Sequence, residues 1–119
     1  MYFSSPEELS KIVPVCDGIW NKEFLHEYLV WSANINFSAY INSFFEEYLN
    51  DENLADLLFE FLLDDDYDGS DVQMGAAWIL GKMDRDLLKS KKQLLLKAQS
   101  NEVYWKRPFP ADEELDWLF

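Results

Sequence analysis

The sequence predicts an all-α domain. Apolar residues recur every three or four positions along most of the chain, Pro and Gly interrupt the pattern at few points, and the alternation typical of strands is scarcely present. The 119 residues are the usual length of one domain, so we expect residues 1–119 to share one core. Because 49% of the residues are hydrophobic and 17% are aromatic, the chain has enough apolar material for that core, and disorder is not expected.

Three helices are predicted in the first half of the chain. Ser5 followed by Pro6 and two glutamates is typical of a helix start, because serine caps the first turn and proline fits its first position. Pro14 and the Asp17-Gly18 pair end this helix, and aromatic residues at helical spacing then mark two more. The predicted ranges are 6–13, 19–31 and 37–49.

Three further helices and a docked C-terminal tail are predicted in the second half. Asn50-Asp51 caps a helix whose leucines face the core, and small residues around Ala76 allow a neighbour to approach the following helix closely. The tail, 100–119, carries large aromatic residues that would form an exposed apolar patch unless the tail packs on the domain. Helices are predicted from the cap to Asp64, over 71–83 and over 84–99, with a short one at 112–118.

The charge of the chain excludes several classes of partner. The net charge is −13 and the sequence pI is about 4.2, so the surface repels nucleic-acid phosphates and anionic lipid headgroups. No apolar run approaches the length of about 20 residues that spans a bilayer, and the N-terminus lacks the features of a signal peptide. We therefore expect a cytoplasmic protein that binds neither nucleic acid nor membranes directly.

No residue pattern in the chain points to catalysis. The chain has one cysteine, Cys16, and one histidine, His26, which excludes an internal disulfide and a Cys/His zinc site. Neither residue has a local activating motif, and no Ser-His-Asp spacing, phosphate-binding glycine loop or dinucleotide fingerprint is present. The sequence therefore predicts a protein that is not an enzyme and has no cofactor.

The negative charge is concentrated in one part of the chain. Residues 1–68 hold 15 acids and 2 bases, whereas residues 69–119 hold 8 of each. The stretch 46–71 contains eleven acids and no base, and four of these acids follow one another at i+4 on one side of a predicted helix. Like charges at this spacing weaken a helix, so a binding role would explain their presence.

Two interpretations of the acidic stretch remain open. It is either a solvated face that maintains solubility or an electrostatic docking surface for a basic partner, with Tyr67 and Trp78 as aromatic anchors. The second interpretation defines a candidate partner-binding set. Its members are Glu46, Glu47, Glu52, Asp56, Glu60, Asp64, Asp65, Asp66, Tyr67, Asp68, Asp71 and Trp78.

The segment 64–69 also fits the first half of a calcium loop. Acids stand at positions 1, 3 and 5 and Gly69 stands at position 6. Position 12 is Gly75 instead of a bidentate glutamate, and Asp71 falls where an apolar residue normally packs. A polar turn in which Asp68 or Ser70 caps the next helix is the favoured interpretation, and no metal site is predicted.

One stretch of the chain resembles a known repeat. The pattern comprises spaced leucines at 54, 57, 58 and 62, then Asp71-Val72, Ala76-Ala77 and Leu80-Gly81. This arrangement resembles one HEAT-like repeat of the phycobilin-lyase-related α-solenoids, over Leu54 to Met83, with Gln73 where that family commonly has arginine. The resemblance implies a short, degenerate HEAT-like stack of helical hairpins, about six helices in all, that binds a protein partner.

The function predicted from these observations is inhibition of another protein. In size, charge and composition the chain is similar to small acidic bacterial immunity proteins, which neutralise secreted toxins. A nuclease must attract phosphate, so its cleft is positive, and an acidic protein is suited to occupy it. We therefore predict an immunity protein that neutralises a basic nuclease toxin, with a HEAT-like adaptor that lacks an inhibitory role as the alternative.

Overall fold

The fold is mostly helical and contains one small two-stranded sheet. The computed structural model describes residues 13–32, 43–64, 70–103, 106–110 and 112–119. The all-α prediction is therefore confirmed in its coarse form, with a β-hairpin as the exception.

The hairpin lies where the second helix was expected to begin. Strands β1 (Val15–Cys16) and β2 (Ile19–Trp20) pair antiparallel, with Val15 opposite Trp20. The two turn residues have positive φ angles, 52° at Asp17 and 79° at Gly18, and two such residues in succession match the twist of paired strands. The prediction of a helix starting at Ile19 was wrong because Asp17-Gly18 makes a hairpin turn instead of a plain helix break.

Helix α1 covers Lys22–Ser32 and has a side-chain cap at its start. Asn21 Oδ1 accepts a hydrogen bond from the Phe24 backbone N–H at 3.1 Å, as an N-cap residue does. The predicted helix 6–13 lies outside the described residues except for Val13, which is not helical. Of the predicted helix 37–49, residues 43–45 are helical and lead into a 3₁₀ turn, Glu46–Tyr48.

Helix α2 covers Glu52–Leu63 and confirms the helix predicted after Asn50-Asp51. Asp51 Oδ1 accepts a hydrogen bond from the Leu54 N–H at 3.0 Å, while Asp51 Oδ2 accepts one from the Trp20 indole Nε1 at 3.2 Å. One carboxylate therefore caps α2 and also ties the helix to the hairpin.

The remaining helices differ from their predicted bounds. They are α3 (Ser70–Leu80), α4 (Arg85–Ser90) and α5 (Lys92–Gln99). Helix α3 ends three residues before Met83, and the single helix expected over 84–99 is two helices separated at Lys91. The Ser90 hydroxyl donates to the Leu87 carbonyl, and the Lys91 N–H bonds to Leu88 instead of continuing the α-helical ladder.

The core lies around α3, which contacts both α1 and α2, and α5 also packs on α2. Ala76 and Ala77 are buried, as expected for small residues that allow close helix approach. The largest fully buried side chains are Leu25, Leu29, Phe45, Leu54, Leu58, Phe59, Phe61, Ile79, Leu80 and Leu88.

The tail packs on the domain through Phe109 and Leu118, which are 6% and 5% exposed. Gln99 of α5 holds it with two hydrogen bonds to the Phe109 backbone, accepting from its N–H at 2.8 Å and donating to its carbonyl at 3.2 Å. The short helix predicted at 112–118 is reduced to a 3₁₀ turn, Asp116–Leu118.

Candidate partner-binding surface

The outer side of α2 carries a row of exposed carboxylates. Glu52, Asp56 and Glu60 lie four residues apart, which places them on one face of the helix. Their side chains are 67%, 51% and 47% exposed. The opposite face is anchored in the core through Leu54 and Leu58, which are fully buried. The row is therefore presented from a fixed support.

Lys91 neutralises part of this row. Its Nζ lies 2.9 Å from Glu52 Oε1 and 2.9 Å from Asp56 Oδ1, and the lysine side chain is 16% exposed. The hydrogen bond to Asp56 and then the one to Glu52 raise the pKa of Lys91 above its ordinary value of 10.5, against the opposing effect of burial. The ammonium group therefore bridges two carboxylates that would otherwise repel each other.

Lys22, at the start of α1, forms an ion pair with Glu60 and lies over the Phe61 ring at 5.6 Å from its centroid. We call Lys22 and Lys91 the internal lysines. Sequence reasoning missed both, because they are 38 and at least 35 residues from their carboxylate partners and no local pattern signals the pairing. In the folded protein, the ammonium groups of these two lysines thus offset part of the negative charge of the stretch 46–71, which contains no base of its own.

A groove lies between α2 and α5, next to the carboxylate row. It is open to solvent and has a volume of about 630 Å³. Three apolar side chains and three carboxylates line it. We call the apolar set the groove floor (Phe59, Leu63 and Leu94) and the acidic set the rim carboxylates (Asp56, Glu60 and Asp64).

The other members of the predicted binding set lie elsewhere or outside the described residues. Glu46 and Glu47 are exposed in the 3₁₀ turn, and Asp71 is exposed in the first turn of α3. Trp78 is 54% exposed, and Lys82 Nζ lies 4.8 Å from its ring centroid. Within the described part of the chain, none of these four lines the groove. The predicted members outside the description are Asp65, Asp66, Tyr67 and Asp68.

The second half of the calcium-loop pattern lies in a helix. Residues 65–69 lie outside the description, but α3 already begins at Ser70, which is position 7 of the presumed loop. Gly75, at position 12, therefore stands within α3. Across the described ranges, no group of three or more His, Cys, Asp or Glu residues is arranged to hold a metal ion.

Three further polar residues occupy distinct environments. Cys16 is exposed in the hairpin, with its Sγ 4.0 Å from an Asp17 carboxylate oxygen. His26 is half-buried, and its Nδ1 lies 3.7 Å from Glu27 Oε1. Glu27 is 2% exposed, and none of the described residues hydrogen-bonds to its Oε2. Sequence reasoning did not single out Glu27, because no local pattern distinguishes this buried glutamate from the exposed Glu23 in the same helix.

The described helices include none that is long and apolar enough to cross a membrane. Comparison of the chain with protein-family models, with curated proteins and with solved structures gave no match in any of the three. The likeness to a HEAT-like repeat and to immunity proteins thus stays a prediction, and the functional argument rests on the surface of α2.

Proposed function

We propose that this protein binds a basic protein through the carboxylate surface of α2 and neutralises it, as an immunity protein neutralises a nuclease toxin. The observation that carries the proposal is the row Glu52, Asp56 and Glu60, whose side chains are 47% to 67% exposed on a helix whose other face is fixed in the core. A rigid row of carboxylates is complementary to the positive cleft in which a nuclease binds phosphate.

The proposed binding includes a contribution from net charge at long range. The chain carries −13, so a basic partner is attracted before contact and associates faster at low salt. The internal lysines reduce the local charge of the row but leave its carboxylates largely exposed. The proposal assigns no catalytic step and no cofactor to the chain.

The HEAT-like arrangement is part of the same proposal. Helices α2 and α3 follow one another in the chain and pack together, which supports a helical hairpin over the stretch that resembles the repeat. A second contact, between α1 and α3, supports a stack of helices beyond one hairpin. In such stacks a partner is bound on an exposed face built by successive helices.

The test uses the tagged full-length protein to capture partners from its native host, eluted in steps from about 0.1 M to about 1 M salt, a range that screens exposed charges. The captured basic protein is then purified, and its nuclease activity is measured with increasing amounts of this chain. We expect release at intermediate salt and loss of nuclease activity at equimolar inhibitor.

A charge-neutralised variant locates the surface. Changing Asp56, Glu60, Asp64, Asp65 and Asp68 to their amides should weaken binding and slow association while the helical content is retained. A matched control neutralises five exposed carboxylates away from α2: Glu23, Glu102, Asp112, Glu114 and Asp116. Equal weakening in both variants, or unchanged affinity and association rate in the first, would contradict the proposed surface.

The alternative of an adaptor without inhibitory role is favoured by one observation. Phe119, the last residue of the tail, is 80% exposed, with Lys92 Nζ 4.2 Å from its ring centroid. An adaptor that binds through this apolar end should retain its partner at high salt and should not change the partner's activity. Capture that survives about 1 M salt and is lost on Phe119→Ser would support the adaptor.

A further inference from the structure

The groove between α2 and α5 combines apolar side chains and carboxylates on one surface. On α2, residues 56, 59, 60 and 63 share one face because they follow the helical repeat, and Asp64, the residue that ends the helix, also lines the groove. On α5, Leu94 lies one turn after Lys91 and contributes the lining residue that does not come from the α2 segment. Leu94 is 37% exposed, so its side chain is accessible to a partner.

The rim carboxylates determine which occupant fits. An apolar floor beside a row of negative charge is complementary to a helix whose apolar face is flanked by lysine or arginine, the arrangement found when an amphipathic helix binds in a groove. A second copy of this chain is disfavoured because each copy carries −13. Anionic lipid is repelled for the same reason.

The internal lysines already occupy the positions that cations of such a helix would take. Lys91 contacts Asp56 at 2.9 Å, and Lys22 contacts Glu60, so both of these rim carboxylates have an ammonium partner from this chain. The Glu60 side chain remains 47% exposed and the Lys22 side chain 39% exposed. An exchange of one cation for another at this site therefore requires little rearrangement of the core.

We propose that the groove binds a basic amphipathic helix of the partner. The apolar face of that helix covers the groove floor, and its cations pair with the rim carboxylates in competition with the internal lysines. This inference rests on the proposed function for the existence of a basic partner, and it adds where and through which secondary structure the partner binds. The internal lysines then act as competitors that limit affinity in the folded protein.

The competition has a measurable signature. Removing Lys22 by Lys22→Gln should strengthen binding by about threefold, since the exposed Lys22 no longer competes for Glu60 and exposed ion pairs contribute modestly. Lys97→Gln gives the matched control, because it changes the net charge by the same amount from an exposed position of α5 that does not line the groove. A mere effect of net charge would strengthen binding equally in both variants.

The groove floor is tested separately. Leu94→Gln should weaken binding by about tenfold, because the apolar face of the incoming helix loses its contact. Ile19→Gln is the control, since Ile19 is 75% exposed in the hairpin and outside the groove. The circular dichroism of each variant is recorded so that a folding defect is recognised.

The probe is a synthetic Leu/Lys peptide of about 18 residues with leucines at helical spacing, compared with a scrambled peptide of the same composition. Dissociation constants are measured by calorimetry with the full-length chain at two salt concentrations. Tighter binding by Lys22→Gln than by Lys97→Gln, together with weaker binding by Leu94→Gln, supports the proposal. Equal affinity for the ordered and scrambled peptides, or no effect of Leu94→Gln, overturns it.

Two outcomes separate this inference from the proposed function. If a basic nuclease is captured and inhibited but Leu94→Gln binds it normally, the groove is not its docking site and the inhibitory function still stands. If the peptide binds as expected but no captured protein is inhibited, the groove is a helix-binding site and the inhibitory function fails. A dimer of this chain that Leu94→Gln abolishes in light scattering would assign the groove to a second copy and overturn the proposal.

Discussion

Lys91 Nζ lies 2.9 Å from Asp56 Oδ1 and joins α5 to the acidic face of α2. Lys91 is the residue between α4 and α5, so it ends one helix and precedes the first residue of the next. Its side chain extends to α2. A residue in a basic segment thereby reduces the repulsion within an acidic one. This relationship makes the stability of the domain depend on a pair that the sequence separates by 35 residues.

We expect Lys91→Gln to lower the free energy of unfolding by about 1 kcal/mol. This value is at the upper end of the range for surface ion pairs, because the lysine bridges two carboxylates and its side chain is mostly buried. The pKa of Lys91 is raised on folding, so its contribution is complete below 10.5 and is lost as pH rises through the higher value of the folded state. Denaturant titrations of both proteins should show a constant difference from pH 7 to 9 that shrinks above pH 10.5. An equal loss in Lys97→Gln would contradict a specific pair.

Gln99→Ala should lower the free energy of unfolding by about 1 to 3 kcal/mol, because it leaves the N–H and the carbonyl of the buried Phe109 without their side-chain partner. The tail should also become more accessible to protease. Gln93→Ala is the matched control, since Gln93 is exposed in the same helix. If thermal unfolding and tail cleavage are the same for both variants, the Gln99 bonds do not hold the tail.

Gly81→Ala should destabilise the packing of the tail. A Cβ at this position would stand 2.3 Å from the Pro108 carbonyl oxygen, a backbone atom that cannot rotate away, and such overpacking costs about 1 to 3 kcal/mol. Gly18→Ala has free space around the added Cβ but a positive φ of 79°, so its cost of about 1 kcal/mol is confined to the hairpin turn. Hydrogen exchange distinguishes them, because only Gly81→Ala should expose the amide of Phe109 and those of residues 112–119. Protected tail amides in that variant would show that the contact relaxes elsewhere.

Asp51→Ala should cost about 2 kcal/mol, because it removes the N-cap of α2 and the hydrogen-bond acceptor of the Trp20 indole together. Asp51→Asn keeps one acceptor oxygen, which can cap the Leu54 N–H, but it places an amide NH₂ donor against the indole N–H, so it should recover the cap and not the indole bond. Asp84→Ala removes a cap of α4 that has no such long-range bond in the described structure, so its cost should be smaller. Denaturant titration with Trp fluorescence measures all three. Equal losses at 51 and 84 would mean that the indole bond adds nothing.

Local signals in the sequence were sufficient for some elements and insufficient for others. The cap at Asp51 and the leucine spacing after it predicted α2 within a residue at each end, because both act over neighbouring turns. The hairpin at 15–20 was missed because Asp17-Gly18 is compatible with a helix break and with a hairpin turn. The break at Lys91 was missed because its residues have good helix propensity on both sides.

The candidate site likewise has features that the sequence predicts and features that depend on tertiary packing. That the carboxylates of α2 share an exposed face follows from their spacing alone, since a helix places residues four apart on one side. That Lys22 and Lys91 pair with them, and that Leu94 completes an apolar groove beside them, depends on which helices pack together.

The sequence by itself determined the helical class, the core-facing leucines of α2 and the excess of negative charge, because periodicity and composition are local properties. Only the tertiary structure decided how much of that charge remains unpaired and what lies beside it. Pairing and groove formation join residues 30 to 39 positions apart, and their energies depend on distance in space, which no local pattern encodes.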